Sequence, residues 1–181
     1  MMDFELHKKN ILSKDDKSRK GSWDEKIAGL CNKLNSIPEY CTTSSCSGRL
    51  LVTKPGIRKH ETKYLFVTHD IVKINDIIGY IQSPIEGSVI QVQSAILHVA
   101  CKTLDSALLL MQKARDNGFR RSGIISINPI VVEIVSDNTI HYPLLPECNS
   151  HSNQLADSIA IKANELLRIT WTHIRKLEES L

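Results

Sequence analysis

The run Thr42-Thr43-Ser44-Ser45-Cys46-Ser47-Gly48-Arg49 holds five hydroxyls, a thiol, a glycine and an arginine, with no aliphatic or aromatic side chain. In a strand-to-strand turn, such a run presents backbone N–H groups and hydroxyls that can meet an anion. Arg49 adds a planar, two-point grip on a carboxylate or phosphate. The competing reading is a tight turn in which serine and glycine serve conformation alone. Cys46 has the chemistry of a nucleophile if a base stands beside it, and His69 and His98 are the histidines available for that.

His98 lies in Ile96-Leu97-His98-Val99, where strand alternation puts it on the face opposite Leu97 and Val99. His69 follows the apolar stretch Tyr64–Thr68, at a strand end where side chains project into solvent. The spacing His98-Val99-Ala100-Cys101 comes nearest to a metal-ligand pair. Zinc needs about four ligands and no CxxC pair is present, so no metal site is expected. Phe119-Arg120-Arg121-Ser122-Gly123 opens a strand, with Arg120 and Arg121 on opposite faces. Basic residues fall in two groups: Arg49, Lys54, Arg58, Lys59 and Lys63, then Lys113, Arg115, Arg120 and Arg121. Each reads either as a solvated surface or as a footprint for phosphate.

The 181 residues suit one ordinary domain, and 41% hydrophobic against 24% charged suits a soluble chain with a real core. A net charge of +3 is only mildly basic. No apolar run approaches the roughly 20 residues that span a bilayer, and Met1–Lys9 lacks the apolar stretch of a signal peptide. Five irregularly spaced cysteines argue against a disulfide framework. Together these features point to the cytoplasm. The glycines never form G-x-G, so a Rossmann-type loop is excluded, and P-loop spacing is missing as well.

These residues need elements to position them. Lys14–Lys20 is polar and aperiodic, which makes residues 1–20 partly flexible. Ser22 is placed to cap a helix with Asp24 and Glu25 in its first turn and Ile27, Leu30, Cys31 and Leu34 along one face, ended by Pro38. Tyr40–Thr43 and Arg49–Thr53 are β-prone on either side of the Ser44–Gly48 turn. Strands follow at Tyr64–Thr68, Ser88–Gln93 and Ala95–Cys101, with a short helix at Ile74–Ile81. Thr103 caps a helix with the stripe Leu104, Ala107, Leu108, Met111 and Ala114, stopped by Asn117-Gly118. Phe119–Ile127 returns as a strand. Pro129–Val135 and Ile140–Leu144 suggest a hairpin around Asp137-Asn138. Residues 152–181 form a terminal helix with the stripe Leu155, Ile159, Ala163, Leu166, Thr170, Ile174 and Leu177. The sum is a single α+β domain over residues 1–181, with one mixed sheet and packed helices.

Five ordered blocks resemble one family: Lys20–Glu25, Cys41–Arg49, Tyr64–His69, Ile96–Cys101 and Gly118–Ile124. They are similar to those of the tRNA wybutosine-synthesising protein 3 family and span about residues 16 to 146. The resemblance implies an α+β fold distinct from the common methyltransferase sandwich. It also implies transfer of a methyl group from S-adenosylmethionine to a ring nitrogen of an aminocarboxypropyl-bearing guanosine derivative beside the anticodon of tRNA-Phe. Asp24 and His98 are then the candidate bases. Ser22, Trp23, Ser44, Ser45, Cys46, Ser47, Gly48, Arg49, His69, Cys101, Arg120 and Ser122 are candidates for binding substrate or donor. Trp23 is suited to stack on the base or to pack at a helix start. Arg58 and Lys59 are the expected phosphate contacts. No obligatory protein partner is implied. The chain departs from the family pattern at Gln93, where a carboxylate is common, at Tyr64 for tryptophan, and at Arg121 for a small polar residue. A non-catalytic RNA-binding module and a thiol enzyme built on Cys46 are the alternatives.

Overall fold

Hydrophobic spacing becomes helices and strands in the order α1 (Phe4–Leu12), α2 (Glu25–Ser36), β1 (Tyr40–Cys46), β2 (Arg49–Lys54), a 3-10 turn (Lys59–Glu61), β3 (Lys63–Thr68), α3 (Ile74–Gln82), β4 (Val89–Gln93), β5 (Ile96–Cys101), α4 (Leu104–Asp116), β6 (Gly123–Ile127), β7 (Ile130–Val135), β8 (Ile140–Pro143) and α5 (Ser152–Ser180). This computed structural model describes residues 3–13, 23–146 and 151–181. The Lys14–Lys20 stretch and Ser22 lie outside the described residues. Within the N-terminal segment, Phe4–Leu12 is helical, capped by the Asp3 carboxylate, which accepts from the N–H groups of Glu5 and Leu6.

The class is α+β, but the strands form two four-stranded sheets and not one mixed sheet. Their orders are β1-β5-β7-β6 and β3-β2-β4-β8, and every pairing is antiparallel. Parallel neighbours would need long crossovers. Instead, links too short for a crossover carry the chain from one sheet to the other. One is Ser47-Gly48, where Gly48 takes φ +95°, a left-handed value suited to glycine. The expected hairpin of residues 129–144 does not form for the same reason. β7 pairs with β5 and β6, whereas β8 pairs with β4. By their contacts, the residues divide into two compact units: 1–47, 95–137 and 170–181 in the first, 48–94 and 138–169 in the second.

In the first unit, one face of the sheet carries Leu97, Val99 and Cys101 of β5, with Val132 and Ile134 of β7. These pack with Ile27, Leu30, Cys31 and Leu34 of α2, Ala107, Leu110 and Ala114 of α4, and Ile174 and Leu177 of α5. Each fully buried large aliphatic side chain contributes about 1.5–3 kcal/mol. The α4 stripe is rotated from its sequence reading: Leu110 is buried, while Leu104 and Leu108 are exposed. The helix starts on a reciprocal cap between Thr103 and Ser106. It stops at Gly118, φ +102°, where Gly118 and Phe119 donate back to Arg115 and Ala114. On the opposite sheet face, Phe4 of α1 covers Cys41 and Ala100.

In the second unit, β2 is flanked by β3 and β4, and Leu50, Leu51, Val52 and Thr53 are all buried. The approach to α3 is fixed by Asn164 of α5, which accepts from Val72 N at 2.8 Å and donates to Val72 O at 2.9 Å.

Candidate functional site

The hydroxyl-rich run is mostly strand, not turn: β1 continues to Cys46, and only Ser47-Gly48 link it to β2. Its pairing with β5 slips between Thr42 and Ser44, which makes Thr43 a bulge. Helix α2 explains the slip. Asn35 accepts from Thr42 N at 2.8 Å and donates to Thr42 Oγ1 at 2.8 Å, so the Thr42 amide is held by the helix. Further along, the Cys31 thiol lies beside the Ser45 hydroxyl. At the far end, the Asp24 carboxylate accepts from Ser47 N at 3.0 Å and Ser47 Oγ at 3.2 Å. Asn35, Cys31 and Asp24 lie at helical spacing and meet β1 in antiparallel order. Thr42, Ser45 and Ser47 therefore face α2, and Ser47 is fully buried.

Ser44 is exposed and points the other way. Its Oγ lies 2.9 Å from His98 Nδ1, and His98 Nε2 lies 2.8 Å from Glu133 Oε2. The strand registers dictate this row, since Ser44 is opposite His98 and His98 opposite Glu133. Thr43 Oγ1 donates to His98 O at 3.2 Å and fixes that strand at the same point. Both ring nitrogens of His98 are thus engaged, which leaves it unable to serve Cys46 as a base. Glu133 escaped the sequence reading. Its signal was present: a lone carboxylate in the apolar strand Ile130–Val135, on the outward alternation.

Asp24 is the helix N-cap by backbone geometry, two residues beyond the expected cap, yet its side chain makes no cap hydrogen bond. It is directed to Ser47 instead. Trp23 is half-buried against the α2–α4 core, the packing role. Cys101 and Ser122 are both buried. Cys101 is 3% exposed in the core, and burial pushes its thiol up to about 12. Ser122 is 1% exposed, and its hydroxyl donates to Phe119 O at 2.7 Å and accepts from Val135 N. Arg120 and Arg121 are both exposed in a turn before β6, so the strand rule of opposite faces does not apply to them. Burial likewise pushes the Cys31 thiol up to about 11 and raises that of Cys41.

In the second unit, Arg49 opens β2 opposite Gln93. Arg49 Nε donates to Gln93 Oε1 at 3.0 Å, and Gln93 Nε2 donates to Gln91 Oε1 at 3.2 Å. Among the described residues, no acceptor lies within bonding distance of the terminal N–H groups of Arg49. His69 is half-buried just beyond β3. Arg58 is exposed, and its backbone N–H donates to Glu61 at the 3-10 turn. The Lys59 side chain lies outside the described residues, as does Ser22.

The Methyltransferase TYW3 family profile matches residues 6–181. The chain belongs to that family. It is 37% identical over 99% of its length to a Thermococcus sibiricus protein named tRNA(Phe) 7-((3-amino-3-carboxypropyl)-4-demethylwyosine(37)-N(4))-methyltransferase, covering 94% of that protein. It is 32% identical over 98% of its length to the Danio rerio tRNA wybutosine-synthesizing protein 3 homolog, covering 74% of it. Among solved structures, the PH1069 protein from Pyrococcus horikoshii superposes with a TM-score of 0.84 at 34% identity, with 98% of this chain and 95% of that one covered. Membership makes this chain a methyltransferase, and the non-catalytic RNA-binding alternative is not favoured. The fold is not the Rossmann type, in keeping with the missing G-x-G.

Proposed function

We propose that the chain methylates a ring nitrogen of the aminocarboxypropyl-bearing, wybutosine-precursor base of tRNA-Phe, with S-adenosylmethionine as donor, and that residues 1–181 work as one domain of this kind in the cytoplasm. The observation that carries the reading is Arg49. Its guanidinium is tethered through one N–H by a neutral partner, and among the described residues its terminal N–H groups have no hydrogen-bond acceptor. Planar, two-point recognition of a carboxylate needs that arrangement. Among the described residues, no helix is long and apolar enough to cross a membrane. Recovery of a tagged chain in an organelle fraction would argue against the cytoplasm.

S-adenosylmethionine, when bound, supplies an electrophilic methyl group. Each unit by itself offers chemistry that fits such a ligand and such a base: in the first, the exposed Ser44 hydroxyl suits a ring N–H; in the second, the Arg49 guanidinium suits a carboxylate. Asp24, bonded to Ser47, shapes the end of β1, and His98 takes up the proton that the ring nitrogen loses. Accurate placement of the reacting atoms supplies much of the acceleration. Purified protein, precursor-bearing tRNA-Phe and S-adenosylmethionine should give a base heavier by one methyl group in a mass spectrum. No gain in mass with fully folded protein would sink the assignment.

Arg58, and Lys59 beside it in sequence, are assigned to phosphates. Arg58→Glu together with Lys59→Glu should raise KM for tRNA, leave kcat alone and lower the salt slope of binding by roughly two contacts. An unchanged KM and slope would make this turn a solvated surface.

A further inference from the structure

We infer that Ser44, His98 and Glu133 form a proton relay. In it, Ser44 takes the proton from the substrate nitrogen, His98 stores it, and Glu133 is the positioning residue that makes His98 able to do so. The inference rests on the methyl-transfer reading above and names groups within it. A carboxylate is acceptor-only. With Glu133 Oε2 2.8 Å from Nε2, the neutral imidazole carries its proton on Nε2. Nδ1 is then the acceptor, and the Ser44 hydroxyl donates to it across 2.9 Å. A base with both nitrogens engaged cannot reach a substrate directly. The outermost member of the row is Ser44, which is exposed, whereas the side chains of His98 and Glu133 are 29% and 31% exposed.

The bookkeeping of the step closes. A nitrogen–methyl bond forms as the sulfur–methyl bond breaks, and the sulfonium becomes a neutral thioether. The ring N–H proton passes to Ser44 Oγ while the Ser44 hydroxyl proton passes to His98 Nδ1. The result is an imidazolium beside the Glu133 carboxylate, which stabilises it. The same sheet face offers an apolar neighbour for a flat base: Ile96 alternates onto the side of His98 and is 37% exposed. Two further features keep the row rigid. Thr43 bonds the backbone of His98, and Gly123 of β6 stands opposite Glu133 without a side chain to compete with it.

The test combines activity with a spectroscopic signature. In the ligand-free protein, ¹⁵N resonances of the His98 ring, assigned by comparison with His98→Gln, should show the Nε2–H tautomer. An Nδ1–H tautomer would overturn the relay. In single-turnover methyl transfer, Ser44→Ala should lower the rate about 100-fold, with KM for tRNA and S-adenosylmethionine unchanged, and Ser44→Thr should restore most of it. Glu133→Gln keeps an acceptor for Nε2–H but removes the charge, and should lower the rate about tenfold with unchanged KM. Native protein at full rate with Ser44→Ala and Glu133→Gln also at full rate overturns the relay alone. Native protein that transfers no methyl group overturns the reading beneath it.

Discussion

His98→Gln should lose methyl transfer by a factor of at least about 100, the lower end of what a positioned acid–base group supplies, while its melting temperature stays within a few degrees of wild type. The two readouts separate chemistry from packing. Structurally, His98 is one member of a cross-strand row on a sheet, bonded to Ser44 and Glu133 at its rim. Cross-strand pairs of this kind contribute about 0.2–1 kcal/mol. In a chain of this size, 1 kcal/mol moves the melting temperature by about 2–4 °C. A hundredfold rate loss corresponds to about 2.7 kcal/mol, more than the pair can account for as a strut. Single-turnover rates with precursor-bearing tRNA and a thermal melt of the same variant decide the matter. Full activity in a stable His98→Gln protein would move the base elsewhere, and Asp24 would be the residue to examine next.

What the sequence disclosed follows from which forces are local. The face of α2 was legible because Ile27, Leu30, Cys31 and Leu34 repeat at helical spacing and nothing competes for their phase; all four are buried. The stop at Gly118 was legible because a left-handed residue there is a local requirement. The phase of α4 was not. Leu108-Leu109-Leu110 offers three candidates, and the sheet selects Leu110. Sheet partners were not legible either. β7 and β8 stand close enough in sequence to suggest a hairpin, but β7 pairs with β6 and the distant β5, and β8 with the distant β4. Among the chemistry-bearing residues, types and spacing singled out the hydroxyl run, Arg49 and His98 as candidates. The division of labour along β1 could not be read in advance. It depends on the Thr43 bulge, which sends Ser45 and Ser47 toward α2 and Ser44 toward His98. Cys101 and Ser122 carry reactive groups in family-like positions, yet burial commits both to the core.

Arg49→Lys should lower kcat/KM for precursor-bearing tRNA roughly ten- to hundredfold, the equivalent of one lost charge-assisted hydrogen bond of about 1.5–3 kcal/mol. Lysine keeps the charge but not the planar fork, so the loss reports geometry and not attraction. The competing account is that Arg49 serves only to hold β2 against β4, through its 3.0 Å bond to Gln93. That bond has a charged donor, so its loss also costs about 1.5–3 kcal/mol, and a purely structural Arg49 would show its effect in the melt and not in the kinetics. Gln93→Glu sharpens the comparison. It restores the carboxylate common in the family while keeping the tether in place, and a half-exposed pair is worth at most about 1 kcal/mol. The Gln93→Glu protein should therefore stay within about fivefold of wild-type kcat/KM and be no less stable. If it instead lost as much activity as Arg49→Lys, an added internal anion would be displacing the substrate's own. The neutrality of Gln93 would then be a requirement of this chain and not a tolerated departure. An Arg49→Lys protein with full stability and full activity would remove Arg49 from both roles.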